Sequence, residues 1–408
     1  MSTNDGKLNI TIVGSGLAGL AAAAVLRADH AVTVYERGDA SVSTGGQGIA
    51  VAPNGHKVLR RRTGFDGRRA GGVPCGGYRS LGKDCAPLAD FPVDFEARYG
   101  AAMLLLKRSD FRAELLRIAA APASEEDGIR GDPANVVFDT AVVDLDPDTA
   151  SITLADGTFV QSDVVIIADG IYSKLRDRIT QDPTRGPKKT GLTLFRIAVS
   201  ADDARKALGG GPLPAWWDAE SDGSRLTVMQ ADDGTGRMIA HYPIQDHNYR
   251  NFSCLFPMRR DRGGVAESWY ADGDKKEMLD LFRGYDEEVY KILSIATEVK
   301  VWDLQDMDPL DRWHRGRAII IGDAAHAMTP LQGQGANMAI EDADSLRLLR
   351  PGQSGPEIES VLARVDGIRR PRTARILRDT RAQAKDVTME DRLANLDYNC
   401  SYEGIGEV

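Results

Sequence analysis

Glycines recur near the start of the chain with the spacing that a phosphate-binding turn requires. Gly14-Ser15-Gly16-Leu17-Ala18-Gly19 follows the apolar residues 8–13 and precedes an alanine-rich segment. In such a turn the first glycine permits a tight bend, the second lets the backbone approach a pyrophosphate, and the third allows close packing of helix and strand. The N–H groups at the helix start then face the phosphates. The predicted dinucleotide contacts here are Gly14, Gly16, Leu17, Ala18 and Gly19.

An acidic residue follows at the distance expected for a ribose contact. Residues 31–35 alternate in polarity and end at Glu36, 17 residues after Gly19, and Arg37 comes next. A carboxylate at this point accepts hydrogen bonds from adenosine ribose hydroxyl groups. The order strand, turn, helix, strand, acid predicts a βαβ unit with parallel strands. The pattern suits NAD and FAD equally.

Two later segments place an aspartate directly after an apolar strand. Asp169-Gly170 follows residues 164–168, and alone it would predict only a turn. Gly322-Asp323-Ala324-Ala325-His326 follows residues 318–321, and Pro330 and Gly333-Gln334-Gly335-Ala336-Asn337 come next. A helix predicted over 337–349 would place its partial positive charge at an anionic end of a ligand. We interpret His326 as structural rather than as a base.

Composition and charge argue against several other classes of protein. The chain has 408 residues and 51 Lys and Arg against 60 Asp and Glu, a net charge of −9 that disfavours an extended nucleic-acid surface. No segment reaches the roughly 18 consecutive apolar residues of a membrane span, and the start lacks the apolar region of a signal peptide. We therefore expect a cytoplasmic protein. The four cysteines and six histidines show no disulfide or metal-ligand spacing.

The elements that must position these motifs indicate an α/β fold. A Rossmann-like domain is predicted to carry an inserted antiparallel β-sheet domain and C-terminal helices. One strand is predicted over residues 134–145, and a continuous helix is predicted over residues 356–395. The predicted nucleotide-binding domain comprises residues 1–74, 102–184 and 300–350, the predicted substrate domain residues 75–101 and 185–299, and the helical segment residues 351–408.

The three motifs, in this order, resemble the single-component FAD-dependent aromatic hydroxylases, the class A flavoprotein monooxygenases, and within them the salicylate-hydroxylase-like branch. Lys107-Arg108-Ser109-Asp110-Phe111 resembles the family's arginine-led helix start, and residues 369–381 resemble its arginine-rich C-terminal helix. The resemblance covers residues 8–385. Ile167 stands where the family usually has glycine, and Gly45-Gly46-Gln47-Gly48-Ile49 only approximates the family's loop beside the flavin.

The resemblance implies contacts along the whole of FAD. Glu36 would bind the adenosine ribose, and Arg108 and Asp323 the ribityl or phosphate region. Asp169 would serve both FAD and a transient nicotinamide cofactor. No second glycine motif of the first type occurs downstream, which agrees with an NAD(P)H that docks, delivers hydride and leaves.

The resemblance also implies which residues meet the isoalloxazine ring. Pro330 would lie against the ring, with Gly48 in the loop beside it. The backbone N–H groups of Gly335 and Ala336 would face the pyrimidine edge, where negative charge develops on reduction.

The implied reaction inserts one oxygen atom from O2, through a flavin C4a-hydroperoxide, into an aromatic or similarly electron-rich small molecule. Arg196 is the expected anchor for a phenolate or carboxylate. In the segment His241-Tyr242-Pro243, strand geometry allows only one of His241 and Tyr242 to face the flavin, and Tyr242 is preferred. The predicted catalytic residues are thus Arg196 and Tyr242.

Several alternatives stay open from the sequence. An epoxidase, a Baeyer–Villiger-type oxygenase or an oxidative dearomatase can share this scaffold, and a more distant alternative is a flavin-binding interaction protein without catalysis. The sequence does not separate NADH from NADPH or name the substrate. A homodimer is compatible with it, and residues 386–408 match no motif.

Overall fold

The computed structural model describes residues 6–40, 48–259, 271–383 and 388–406. Gly45, Gly46 and Gln47 of the loop predicted beside the flavin therefore lie outside the described residues. The strands found in the described ranges are β1 (Asn9–Val13), β2 (Ala31–Tyr35), β3 (Gly48–Val51), β4 (Val73–Pro74), β5 (Gly77–Gly82), β6 (Pro87–Pro92), β7 (Leu104–Lys107), β8 (Asn135–Val137), β9 (Val142–Asp146), β10 (Ser151–Leu154), β11 (Phe159–Gln161), β12 (Val164–Ile167), β13 (Lys188–Ser200), β14 (Leu226–Gln230), β15 (Met238–Ile244), β16 (Tyr249–Pro257), β17 (Lys300–Asp306), β18 (His314–Arg315) and β19 (Ala318–Ile320).

Helices alternate with these strands, and two short 3-10 turns, Pro330–Gln332 and Leu346–Leu348, flank the helix of the third motif. The α-helices of the described ranges are α1 (Leu17–Leu26), α2 (Pro53–Thr63), α3 (Phe95–Tyr99), α4 (Arg108–Ala120), α5 (Arg176–Thr180), α6 (Ala201–Ala207), α7 (Ala219–Asp222), α8 (Lys275–Phe282), α9 (Glu287–Ser294), α10 (Asp323–His326), α11 (Gly335–Ser345), α12 (Gly355–Ala382) and α13 (Met389–Cys400).

A six-stranded sheet with the order β18-β19-β12-β1-β2-β8 carries the nucleotide motifs. All its strand pairs are parallel except β18 with β19. Strands β12 and β19 are apolar and buried along their whole length, as is typical of parallel strands covered on both faces. Helix α1 contacts both α4 and α11. The predicted Rossmann-like α/β fold is confirmed.

A seven-stranded sheet with the order β17-β13-β16-β15-β14-β5-β6 forms the second large layer. Its pairs are antiparallel, except that β14 and β5 run parallel. An apolar core that includes residues of α8 and α9 packs against one face. Strand β17 belongs to this sheet, although it begins just after residue 299, where the predicted substrate domain ends.

Two smaller sheets complete the fold. Strands β9, β10 and β11 form an antiparallel sheet, and β3, β7 and β4 form another. Strand β7 also contacts β15, so the second small sheet lies against the seven-stranded sheet. No helix in the described ranges has the length and apolar character needed to cross a membrane.

Three element predictions were wrong in their bounds. The single strand predicted over 134–145 is two strands, β8 and β9, in different sheets, and Asp139 between them has φ +52°. The continuous helix predicted over 356–395 is interrupted, because α12 ends at Ala382 and α13 begins at Met389. The helix predicted over 337–349 begins earlier, at Gly335, and its α-helical part ends at Ser345.

Candidate active site

The first glycine turn has one open position between two crowded ones. Gly14 has φ +101°, and a Cβ there would lie 2.6 Å from the carbonyl oxygen of Ala168. A Cβ on Gly19 would lie 2.0 Å from the carbonyl oxygen of Gly14. A Cβ on Gly16 would meet no described heavy atom within 4 Å. The fold therefore requires Gly14 and Gly19, whereas Gly16 leaves its backbone accessible to a ligand.

Glu36 and a buried arginine hold this turn from two sides. Glu36 Oε2 accepts hydrogen bonds from Ser15 N at 2.8 Å and Ser15 Oγ at 2.9 Å, and Oε1 accepts one from Gly38 N at 2.8 Å. Arg112 Nε donates to the Ser15 carbonyl oxygen at 3.0 Å, and Nη2 donates to Ser15 Oγ at 2.7 Å. Arg37 beside Glu36 is exposed. The sequence analysis missed Arg112, although its spacing of four from Arg108 places both on one side of α4.

The first and third motifs meet at the start of α1. A Cβ on Gly322 would lie 2.6 Å from Ala18 Cβ, so the two segments are in close contact. Leu17, the first residue of α1, is buried, and Ala18 is half-buried. The carboxyl ends of the adjacent parallel strands β1, β12 and β19 bring all three motifs to one edge of the sheet, where nucleotides bind in such folds.

Arg176 connects the second and third motifs. This arginine is buried, its Nη2 donates to the Ile171 carbonyl oxygen at 2.6 Å, and its Nε donates to the Ala324 carbonyl oxygen at 2.7 Å. Burial lowers the pKa of Arg176, and the charges of Asp169 and Asp323 oppose that shift. The guanidinium thus fixes the distance between the two aspartate-bearing loops.

Asp169 has one oxygen atom left over for a ligand. Its Oδ2 accepts a hydrogen bond from Lys174 N at 3.0 Å, whereas Oδ1 is buried without a hydrogen-bond partner among the described residues. Burial raises the pKa of Asp169. Because a buried carboxylate oxygen without a partner is costly, this position suits a ligand that donates a hydrogen bond.

The loop of the third motif ends at a helix start held by Asn337. Pro330 is exposed and begins the 3-10 turn, and Gly335 and Ala336 begin α11, so their N–H groups lack helical acceptors. Asn337 Oδ1 accepts a hydrogen bond from Ala52 N at 2.9 Å, and Nδ2 donates to the Gly333 carbonyl oxygen at 2.8 Å. Asn337 therefore joins this loop to the start of α2.

A buried ion network lies beneath the third motif. His326 Nε2 lies 2.6 Å from Asp342 Oδ2, which also accepts a hydrogen bond from Gly322 N at 3.0 Å. Arg369 Nε donates to Asp342 Oδ1 at 2.9 Å. His326, Asp342 and Arg369 are all buried. This geometry agrees with the interpretation of His326 as a structural residue.

Tyr242 and His241 lie on opposite faces of the seven-stranded sheet. A Cβ on Gly48 would lie 2.4 Å from the Tyr242 hydroxyl oxygen, so Tyr242 faces the Gly48 strand. His241 is fully buried on the other face, where its ring packs 5.1 Å from that of Trp216, and Arg250 Nη1 donates to its Nδ1 at 2.7 Å. Burial and the Arg250 charge lower the pKa of His241.

Arg196 shares the Tyr242 face of the sheet. In the strand register Asn251 pairs with Tyr242 on one side and with Ala198 on the other, so these three side chains project to the same face. Arg196 lies two residues before Ala198 on the same strand and therefore projects to that face too. The Arg196 guanidinium lies 5.2 Å from the ring centroid of Trp302. Burial and the nearby charge of Arg108 lower the pKa of Arg196 to about 10.

The sequence analysis missed Asn251 on this face. Asn251 is 1% exposed, and its Oδ1 has no hydrogen-bond partner among the described residues. A Cβ on Gly48 would lie 2.6 Å from Asn251 Cγ, so the amide lies beside Gly48. An asparagine in a strand carries no motif, so only its placement beside Gly48 and Tyr242 draws attention to it.

Comparisons with known proteins agree with this geometry. The FAD binding domain family matches residues 130–380, and the NAD(P)-binding Rossmann-like domain family matches residues 12–58. The chain belongs to the class A FAD-dependent aromatic hydroxylases. This flavoprotein is 30% identical to hispidin-3-hydroxylase of Neonothopanus nambi, over 91% of its own length and 87% of the relative's.

Two further comparisons cover most of the flavoprotein. It is 33% identical to 6-hydroxynicotinate 3-monooxygenase of Bordetella bronchiseptica, over 84% of its own length and 82% of the relative's. The structure of a salicylate hydroxylase substrate complex superposes with a TM-score of 0.74 at 22% identity, covering 97% of this chain and 94% of that one. The latter similarity shows the fold.

The residues of this flavoprotein fit FAD as its cofactor. The backbone at Gly16 is open, Asp169 Oδ1 has no partner among the described residues, and Gly335 begins a helix at the same sheet edge. The open backbone at Gly16 suits a pyrophosphate, and Asp169 Oδ1 suits a hydrogen-bond donor of the ribityl chain. The helix start at Gly335 suits an electron-rich edge of the flavin ring. The flavoprotein is an FAD-dependent monooxygenase, and NAD(P)H is the reductant typical of its family.

Proposed function

We propose that this flavoprotein oxygenates an aromatic ring that carries an ionisable hydroxyl group, with Arg196 and Tyr242 as the residues that touch the substrate. The observation that carries the proposal is that Arg196, Asn251 and Tyr242 share the sheet face that meets Gly48. The name of the relative that acts on 6-hydroxynicotinate supports a hydroxylated ring as the substrate class.

Arg196 and Tyr242 would act on the substrate in different ways. When bound, FAD supplies hydride acceptance and the activation of O2. The Arg196 guanidinium would hold a phenolate or carboxylate oxygen and so make the ring more electron-rich. The Tyr242 hydroxyl group would be protonated at neutral pH even with an ordinary tyrosine pKa, and burial raises its pKa further, so it can donate a hydrogen bond.

An apolar cluster on the same face would exclude water from the reacting atoms. Leu194, Leu255 and Leu304 are buried together there, and Trp302 and Leu331 pack against them. Leu331 follows Pro330, so the cluster joins the sheet to the loop of the third motif. Exclusion of water prevents the loss of activated oxygen before it reaches the ring.

We propose that FAD lies at the sheet edge where the three motifs meet, held by residues of those motifs together with Arg37, Gly48 and Arg108. Glu36 and Arg37 would contact the adenosine part, Arg108, Asp169 and Asp323 the phosphate and ribityl parts, and the remaining residues the pyrophosphate or the ring. The complete proposed set is Gly14, Gly16, Leu17, Ala18, Gly19, Glu36, Arg37, Gly48, Arg108, Asp169, Asp323, Pro330, Gly335 and Ala336.

We further propose a cytoplasmic homodimer. The four cysteines are free thiols, which suits a reducing compartment. Two-fold dimers are the most common soluble oligomers, which supports the dimer as the expected assembly. Light scattering of the FAD-loaded protein would give twice the chain mass of 44.2 kDa if the dimer forms.

Oxygen incorporation tests the proposed function directly. The FAD-loaded protein is mixed with NADH or NADPH and hydroxylated aromatic acids under labelled O2, and products are analysed by mass spectrometry. We expect substrate-stimulated NAD(P)H consumption and one labelled oxygen atom in a ring hydroxyl group. Label in an epoxide or an ester would instead support an alternative oxygenation, and flavin reduction without incorporation on every substrate would overturn the proposal.

A matched pair of tyrosine variants tests the role of Tyr242. Tyr242→Phe removes the hydroxyl group beside Gly48, and Tyr290→Phe removes one from α9, on the helix-covered side of the same sheet. We expect Tyr242→Phe to lower kcat/KM at least ten-fold through loss of a hydrogen bond to a charged group. Tyr290→Phe is expected to leave it unchanged, and equal effects of the two would remove Tyr242 from the site.

A further inference from the structure

We propose that the C-terminal segment, residues 388–406, forms a wall of the active site, and that Asn399 is a positioning residue for the loop that carries Pro330. The inference rests on the proposed function, because that function places the Pro330 loop at the isoalloxazine ring. It assigns a role to a segment that no sequence motif explains.

Asn399 contacts the Pro330 loop directly. It lies in the last turn of α13, is 4% exposed, and its Nδ2 donates to Gln332 Oε1 at 3.1 Å. Gln332 ends the 3-10 turn that Pro330 begins. A hydrogen bond across 67 residues of sequence therefore fixes the end of this short turn to the C-terminal helix.

A second connection reaches the other glutamine of the loop. Arg372 Nη2 donates to the Asn399 carbonyl oxygen at 3.2 Å, and Arg372 also pairs with both carboxylate oxygens of Glu341 at 2.6 and 2.8 Å. Asn54 Nδ2 donates to Glu341 Oε1 at 2.8 Å and to Gln334 Oε1 at 3.1 Å. Both glutamines of the loop are thus hydrogen-bonded to a network that includes the C-terminal segment.

The same helix also packs towards the substrate side. Cys400 is buried in one apolar cluster with Tyr242 and Ala50, and Leu396 packs against that cluster. Ala50 belongs to β3, the strand that starts at Gly48. Helix α13 therefore contacts both the loop proposed to hold the flavin ring and the cluster around the residue proposed to hold the substrate.

The residues after α13 anchor it to the rest of the molecule. The buried ammonium group of Lys57 forms an ion pair with Glu403, and Ile405 N donates to Asp344 Oδ2 at 2.6 Å. The Arg372 guanidinium lies 4.8 Å from the ring centroid of Tyr402. Because a buried charge without a partner is costly, Glu403 ties the segment firmly to α2.

The matched variants Asn399→Ala and Asn395→Ala test this inference. Asn395 lies one turn earlier on α13, is half-buried, and makes no side-chain hydrogen bond among the described residues. We expect Asn399→Ala to weaken FAD binding about five-fold, the effect of one lost hydrogen bond, and to change the visible circular dichroism of bound FAD. Asn395→Ala is expected to change neither, and both apoproteins are expected to keep wild-type secondary structure.

A double-mutant cycle with Gln332→Ala separates positioning from a general loss of stability. If Asn399 acts through Gln332, Asn399→Ala has no further effect on FAD affinity in the Gln332→Ala background. Additive effects would overturn the inference, as would wild-type affinity and spectrum in Asn399→Ala. If Asn399→Ala does not fold, Gln332→Ala removes the same hydrogen bond from the loop, and its FAD affinity and flavin spectrum test the inference.

The outcomes distinguish this inference from the proposed function. FAD affinity and the flavin spectrum are measured without substrate, so they report on the Asn399 contact even if no aromatic compound is oxygenated. Conversely, labelled oxygen in a product together with an unaltered Asn399→Ala spectrum would overturn the inference alone. In the active enzyme, we expect Asn399→Ala to release several-fold more hydrogen peroxide per NAD(P)H consumed, because the loop no longer shields the flavin from water.

Discussion

Two glycines of the first motif have different physical roles, and this difference predicts opposite phenotypes. Gly16→Ala adds a methyl group where no described heavy atom lies within 4 Å, at a residue with ordinary φ of −70°. We expect the apoprotein to keep its stability within about 0.5 kcal/mol while FAD affinity falls at least ten-fold, because the methyl group occupies the space a pyrophosphate needs. Thermal unfolding of apoprotein and flavin fluorescence titration measure the two quantities.

Gly19→Ala is the matched comparison on the same turn. Its methyl group would lie 2.0 Å from a backbone oxygen, which cannot move without displacing the turn, so the apoprotein itself is expected to lose stability. Equal thermal unfolding of the two alanine variants would contradict this assignment of roles.

The roles of single residues could be predicted from the sequence where the backbone conformation allows only one residue type. Turn geometry requires glycine at Gly14 and Gly19, and the structure shows the crowding around both. Glu36 was predicted as a ribose contact, and in the structure it accepts hydrogen bonds from Ser15 of the same turn. Arg112 and Asn251 were not predictable, because each acts through a contact with a residue distant in the sequence.

At the scale of elements, the attachment of α12 to α11 depends on a buried carboxylate. Burial alone would raise the pKa of Asp342, but the charges of His326 and Arg369 lower it below its ordinary value. A group with a depressed folded-state pKa contributes its full stability above the unfolded pKa, near 4, and loses it as pH falls through the folded value. The ionised form of Asp342 therefore stabilises the fold at neutral pH.

Asp342→Asn tests this contribution. It leaves Glu341 as the only carboxylate partner of Arg369 among the described residues, so we expect a loss of about 3 kcal/mol of unfolding free energy at pH 7, the lower end for breaking a buried ion pair. In urea unfolding measured at successive pH values, the difference from wild type should shrink below about pH 4. A difference that does not vary with pH would assign the effect to packing instead of charge.

Elements were predicted best where apolar strands and glycine turns alternate along the chain. The strands before Gly14, Asp169 and Asp323 were predicted, because continuous or nearly continuous apolar segments indicate burial on both faces. The prediction over 134–145 was wrong, because sequence polarity does not show that neighbouring strands pair in different sheets. Likewise, the resemblance to the family predicted an arginine-rich helix over residues 369–381, but nothing local showed that Arg369 would be buried against Glu341 and Asp342.

At the scale of the whole molecule, the proposed FAD site is assembled from segments that are far apart in the sequence. Residues 14–19, 169–176 and 322–336 meet only because β1, β12 and β19 are adjacent and parallel. The order of the three motifs along the sequence predicted that they would meet at this edge of the first sheet. It could not predict that the C-terminal segment reaches the same site, because those contacts join Asn399, Arg372 and Glu403 to residues far away in the sequence.

Hydrogen exchange tests this assembly across the whole chain. If one FAD contacts all three segments, adding it should slow amide exchange together in residues 14–20, 169–176 and 330–340. Amides of α8 and α9 that exchange by local opening, on the far face of the seven-stranded sheet, should exchange as before. At FAD concentrations 100-fold above Kd, the unfolding free energy should also rise by about 2.7 kcal/mol through mass action. Gly16→Ala, compared at the same FAD concentration, should show a rise of only about 1.4 kcal/mol if its affinity is ten-fold weaker. Protection confined to residues 14–20 would mean that only the nucleotide end is held, and that the loop around Pro330 does not meet the flavin ring.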